Sequence, residues 1–204
     1  MKLRFKLITT IVSICIMSAL LFVGVYAATT PEVNLQGTVS FDANETYATV
    51  DVQNATASAT SKANLSFESI YTNTFNEDST SDTFEKEVTL PTIDNDNVFS
   101  GYRVIIGDGS EDENVAVGIE SLVLPKLDSA HNGYATLTVY LNDTALNDSN
   151  ISAQIAGAVA SDTTTIVIDV VIQITNVDAA PASIENLFDA SNSKLDITLQ
   201  RVAV

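Results

Sequence analysis

Hydrophobic and polar positions alternate strictly along much of this chain. Val33, Leu35, Gly37, Val39 and Phe41 interleave with Asn34, Gln36, Thr38 and Ser40. Ala48-Val50-Val52, Leu65-Phe67, Ala135-Leu137-Val139-Leu141 and Leu195-Ile197-Leu199 repeat the pattern with Thr, Ser, Asp, Glu, Tyr or Gln between them. A period of two is the mark of a β-strand with one face buried and one wet. Thr, Val and Ile dominate these runs, as a pleated surface prefers. Thr163–Thr175 places Ile166, Ile168, Val170, Ile172 and Ile174 on one face. Val167 and Val171 make its other face partly apolar, which predicts a long central strand. Val115–Leu124, Asn97–Ile106 and Phe84–Leu90 read as further strands. Ile151–Ala160 is divided: its alanines permit a helix, whereas Gly157 and the flanking Asn and Asp turns favour a strand.

One short helix is expected near 181–190. Pro181 suits a first helical position, and Ile184, Leu187 and Phe188 share one face. Turn chemistry fills the gaps at Asn73–Asp82, Asp94–Asn97, Gly107–Asn114, Asp128–Gly133 and Asn142–Asn150. The total is about nine to eleven short strands. With so few helices to cover a sheet, two sheets packed face to face bury the apolar positions best. The expected fold is all-β, a two-sheet β-sandwich of jelly-roll-like or Ig-like topology, in a single domain spanning 28–204.

Residues 1–27 read differently. Lys2, Arg4 and Lys6 precede nineteen uncharged residues, Leu7–Val25, and Val25-Tyr26-Ala27 ends the run on small side chains. A basic start, an apolar run and a small-residue exit make a signal peptide. The run also reaches the length of a membrane span, so the rival reading is an uncleaved anchor through residues 7–26. Either way the domain lies outside the cell, secreted or at the cell surface. Cys15 sits inside the apolar run after Ile14, where it reads as an ordinary apolar residue rather than a lipidation site.

Charge narrows the partners. All 26 acids follow residue 27, against six cations there: Lys62, Lys86, Arg103, Lys126, Lys194 and Arg201. Such a surface repels phosphate backbones, so nucleic acid is not an expected partner. The region beyond residue 27 has no cysteine; that fits a bacterial or archaeal surface better than a disulfide-stapled eukaryotic one.

Candidate chemistry is sparse. Asp108, Ser110 and Asp112 alternate oxygens in an acidic loop, and calcium is the metal such oxygens would hold. The loop lacks the later glycine and glutamate of the helix–loop–helix calcium motif, and a solvated turn explains it as well. His131 is the only histidine, and Asn132-Gly133 marks a tight turn beside it. No nucleophile motif pairs with it, and no enzyme is expected. A single histidine and a cysteine confined to the leader also argue against an ordinary zinc site. No cofactor is implied.

Leu21-Phe22-Val23-Gly24-Val25-Tyr26-Ala27-Ala28-Thr29 and the strand Val33–Phe41, with Val170–Asn176 and Ala180-Pro181 later, resemble the TasA/camelysin-like exported proteins of Gram-positive bacteria. The aromatic element that often follows that family's cleavage site has no counterpart here. The resemblance implies a biofilm-matrix or fibre subunit whose N-terminal strand, Ala28–Phe41, complements the sandwich of the next copy. Its partners would be other copies of itself or surface proteins. The alternatives are that Val33–Phe41 pairs within its own domain, and that the chain is an extracellular binding module for a carbohydrate, calcium or a protein.

Overall fold

The strictly alternating segments become strands whose apolar positions meet in one core. The computed structural model describes residues 35–43, 46–75, 82–91, 96–110, 114–179 and 187–203. Residues 1–27, read above as a signal peptide or anchor, lie outside them. Eleven strands occur among the described residues: β1 (Gln36–Ala43), β2 (Ala48–Ala55), β3 (Phe67–Phe75), β4 (Asp82–Thr89), β5 (Val98–Asp108), β6 (Val115–Val123), β7 (Ala135–Leu141), β8 (Thr144–Ala145), β9 (Val159–Ala160), β10 (Ile166–Ile174) and β11 (Lys194–Ala203). A five-stranded sheet runs β4-β1-β11-β6-β9, and a six-stranded sheet runs β3-β2-β5-β10-β7-β8. The two pack face to face, as the β-sandwich expectation holds.

β10 is the central strand that its pattern predicted. Ile166, Ile168, Val170, Ile172 and Ile174 are fully buried toward the opposite sheet. Asp169 and Val171, on the outer face, are also buried. From the other sheet Val39, Phe41, Leu195, Ile197 and Leu199 meet this layer.

Eight of the ten connections between successive strands cross from one sheet to the other; only β2–β3 and β7–β8 stay within a sheet. The β7–β8 turn is carried by Asn142 and Asp143, both left-handed at φ 46° and 65°. That is a type I′ hairpin turn, for which Asn and Asp are well suited. β1 pairs antiparallel with β4 and parallel with β11. This is the one parallel pair among the described strands.

Three local expectations change. The short helix expected at 181–190 is not found in its described part: Leu187 bends, and Phe188 forms a bridge to Leu127; residues 181–186 lie outside the described residues. A six-residue helix instead occupies Ile151–Ala156, which we label α1, followed by the short β9. Asn147 closes the turn that leads into it, its Oδ1 accepting from the Ser149 and Asn150 backbone N–H groups ahead of the first helical residue. Ile151 and Ile155, one turn apart, then pack against the core. Finally, the expected turn at Asn73–Asp82 begins later, because Phe75 is buried at the end of β3, 6.3 Å from the Phe41 ring.

Candidate functional site

Asp108 ends β5, and its Oδ1 accepts a hydrogen bond from the Ser110 backbone N–H at 2.9 Å. The carboxylate thus shapes the loop as an Asx turn. Asp112 lies outside the described residues. Among the described residues no cluster of three or more His, Cys, Asp or Glu side chains is placed to hold a metal. His131 lies in a 3-10 turn, Ser129–His131, and is buried. Gly133, two residues on, takes φ 90°, the left-handed backbone the tight turn requires.

The outer face of the six-stranded sheet carries a charged row that sequence reading missed. Asp169 on β10 stands opposite Arg103 on β5 and Tyr140 on β7. Arg103 grips Asp169 with a fork, Nε to Oδ1 at 2.6 Å and a terminal nitrogen to Oδ2 at 3.0 Å. The Arg103 guanidinium also lies 4.3 Å from the Phe67 ring centre. Lys62 comes down from the β2–β3 loop, its Nζ 2.8 Å from Asp143 Oδ1 and 3.3 Å from Asp169 Oδ2. It sits 4.2 Å over the Tyr140 ring. Ala59 and Phe99 exchange backbone hydrogen bonds at 2.8 and 2.7 Å, which ties the same loop down beside the row.

The charges reinforce each other. The hydrogen bond to Asp169 raises the Arg103 pKa above its ordinary value. Burial opposes the Lys62 charge, but hydrogen bonds and attraction to Asp143 and Asp169 outweigh it, and its pKa rises. The Lys62 hydrogen bond holds the Asp143 carboxyl below its usual range. Groups whose hydrogen-bonding atoms already hold one another are poorly placed to act as acids, bases or nucleophiles. This row is a clamp that fastens a loop to a sheet. The signal for it was a lone charge inside each of two apolar strands.

Farther along the same face lies an open groove of about 510 Å³. Thr49, Thr72, Thr74 and Thr165 line it with Asp51 and Asn73, and Ile105 and Gly107 contribute to its wall. Gly107 keeps the space open, since a Cβ there would stand 2.5 Å from Thr49 Oγ1. Asp51 is held by Ser69 Oγ and Gln53 Nε2 at 2.5 and 2.6 Å. Its polar groups are hydroxyl, amide and carboxylate, set beside the apolar Val50 and Ile105, and no cation lines it among the described residues.

The third feature is the slot between β4 and β11 that β1 fills. Leu35, Val39, Phe41 and Ala43 are fully buried there. Burying Leu35, Val39 and Phe41 contributes on the order of 5–8 kcal/mol, as much as the whole net stability of many domains. Residues 44–47 alone join this strand to β2 in the opposite sheet.

Among the described residues no helix is long and apolar enough to cross a membrane. Comparison with protein families, with curated proteins and with solved structures finds no match.

Proposed function

We propose that this chain is an exported, non-enzymatic structural protein of the cell surface or extracellular matrix, assembling into fibres through its N-terminal strand. The observation that carries the reading is the position of β1. It is the first described strand, it is held on both sides, and with the adjoining Leu35 it sends Val39, Phe41 and Ala43 into the core. A terminal strand of this kind fills the same slot whether it comes from its own chain or from a second copy. Main-chain hydrogen bonds to β4 and β11 supply affinity, and the buried side chains supply specificity. The basic and apolar segment 1–27 supports export, and the resemblance to TasA/camelysin-like proteins points the same way. Electron microscopy of the purified protein tests the reading: filaments are expected, and dispersed monomers at all concentrations argue against it. Deleting Ala28–Phe41 should abolish assembly, and adding a peptide of residues 33–43 should restore a folded, capped monomer.

The groove favours a second reading, a binding module for a carbohydrate. Hydroxyl and amide groups suit a neutral, hydroxyl-rich ligand, and a chain of formal charge −17 disfavours anions. Titration with neutral oligosaccharides should give heat that Gly107→Val abolishes; silence across such ligands argues against this module.

A further inference from the structure

Gly37 lies on the inward face of β1, between Leu35 and Val39. A Cβ on it would stand 2.7 Å from Cε1 and 3.3 Å from Cδ1 of Tyr102. Tyr102 belongs to β5 in the opposite sheet and is fully buried. An enclosed ring in a close-packed core has little room to withdraw. The missing side chain at residue 37 is therefore a notch into which the Tyr102 ring fits.

A notch restricts register. In the observed pairing Gly37 stands opposite Val88 on β4, while Val39 stands opposite Lys86 on β4 and Leu195 on β11. Slipping β1 by one residue turns Gln36, Thr38 and Ser40 toward the core, which their polarity forbids. Slipping by two keeps the apolar face inward, and hydrophobic pattern alone would tolerate it. That slip brings Leu35 or Val39 over the Tyr102 ring, where even a methyl group is too close. The ring rejects what the pattern leaves allowed.

We propose that Gly37 and Tyr102 form a register key that governs admission of β1 to its slot, and that the partner this key selects is the β1 of a second copy of this chain. The proposal rests on the strand-exchange reading above. A foreign strand of similar hydrophobicity but without a glycine at the matching position is refused. A second copy presents the same notch in the same place.

The test uses Gly37→Val and Gly37→Ala in the full chain. A Gly37→Val subunit keeps an intact slot but carries a β1 that no slot admits well. Added at one part in ten to wild-type protein, it should accept a wild-type strand, fail to donate its own and so shorten filaments several-fold. Filaments of unchanged length, with the variant incorporated throughout, would overturn the key. A melting cycle reads the same contact within one chain. Gly37→Ala should lower Tm by roughly 4–8 °C with Tyr102 present, and by much less when Tyr102→Leu has removed the outer part of the ring. Equal losses in both backgrounds would overturn the key. If wild-type protein forms no filaments, the fibre reading fails, while the melting cycle still decides the key.

Discussion

Replacing Asp169 with alanine would leave Arg103 and Lys62 under the β2–β3 loop without their shared counter-ion. Removing one partner of a buried pair costs about 3–5 kcal/mol. The cations here are 32 % and 24 % exposed, and Lys62 keeps Asp143, so the expected loss is smaller, about 2–3 kcal/mol. Urea unfolding measures it. Asp169→Val combined with Arg103→Leu should recover most of that loss, because it removes both charges together. The outer end of the clamp responds to pH. The Asp143 pKa is depressed, so its contribution is present above its ordinary value near pH 4 and fades as pH falls through the lowered one. The Lys62 pKa is raised, so its contribution is complete below about pH 10 and fades as pH climbs through the raised value. Lys62 Cε resonances, which report the ammonium and its carboxylate partners directly, should hold steady between about pH 5 and 10 and shift beyond each limit. Shifts centred inside that window would count against the clamp. Asp169 and Arg103 were each visible in the sequence as a lone charge in an apolar strand. Their pairing was not, because it depends on the register between β5 and β10, more than sixty residues apart.

Individual strands were the most legible level. β1, β2, β7, β10 and β11 follow segments whose alternation announced them, since side-chain period and burial share one cause. α1 was ambiguous because six residues are too few to separate a helical from an alternating pattern; Ile151 and Ile155 decide it only once a core exists to meet them. Edge protection was hidden entirely. The far edges of the two sheets are the two-residue strands β8 and β9, too short to template a neighbour. The long edges, β3 and β4, lie together on the other side. There the Tyr71 and Phe84 rings stack at 3.8 Å, and Lys86 Nζ donates to the Ile70 carbonyl at 3.3 Å. Ile70 is also where the β2–β3 register slips, a bulge that interrupts the edge. An inward-pointing lysine on an edge strand is a recognised guard against pairing. Lys86→Val should therefore raise irregular, concentration-dependent association, read by light scattering at matched concentration. Scattering equal to that of wild type would show that the guard lies elsewhere.

At the scale of the molecule, the two-sheet sandwich followed from counting many alternating strands against few helices. The strand order did not. With eight of ten connections crossing between sheets, neighbours are set by global closure rather than by local turns. The parallel meeting of β1 and β11 is the clearest case: it joins segments from opposite ends of the fold, and no turn residue signals it. That meeting is also what makes assembly by strand exchange physically sound, because β1 can leave without breaking a hairpin. Ser40 on β1 faces Asp196 on β11 across this pair, and the chain has no cysteine after residue 27. The most direct test mixes two single variants, Ser40→Cys and Asp196→Cys, assembles them, and oxidises the product. Adjacent strands bring such a pair within disulfide reach. Strand exchange requires a covalent dimer that contains one chain of each variant. It would be contradicted if only uncrosslinked chains form while the double variant, carrying both cysteines in one chain, closes its own disulfide.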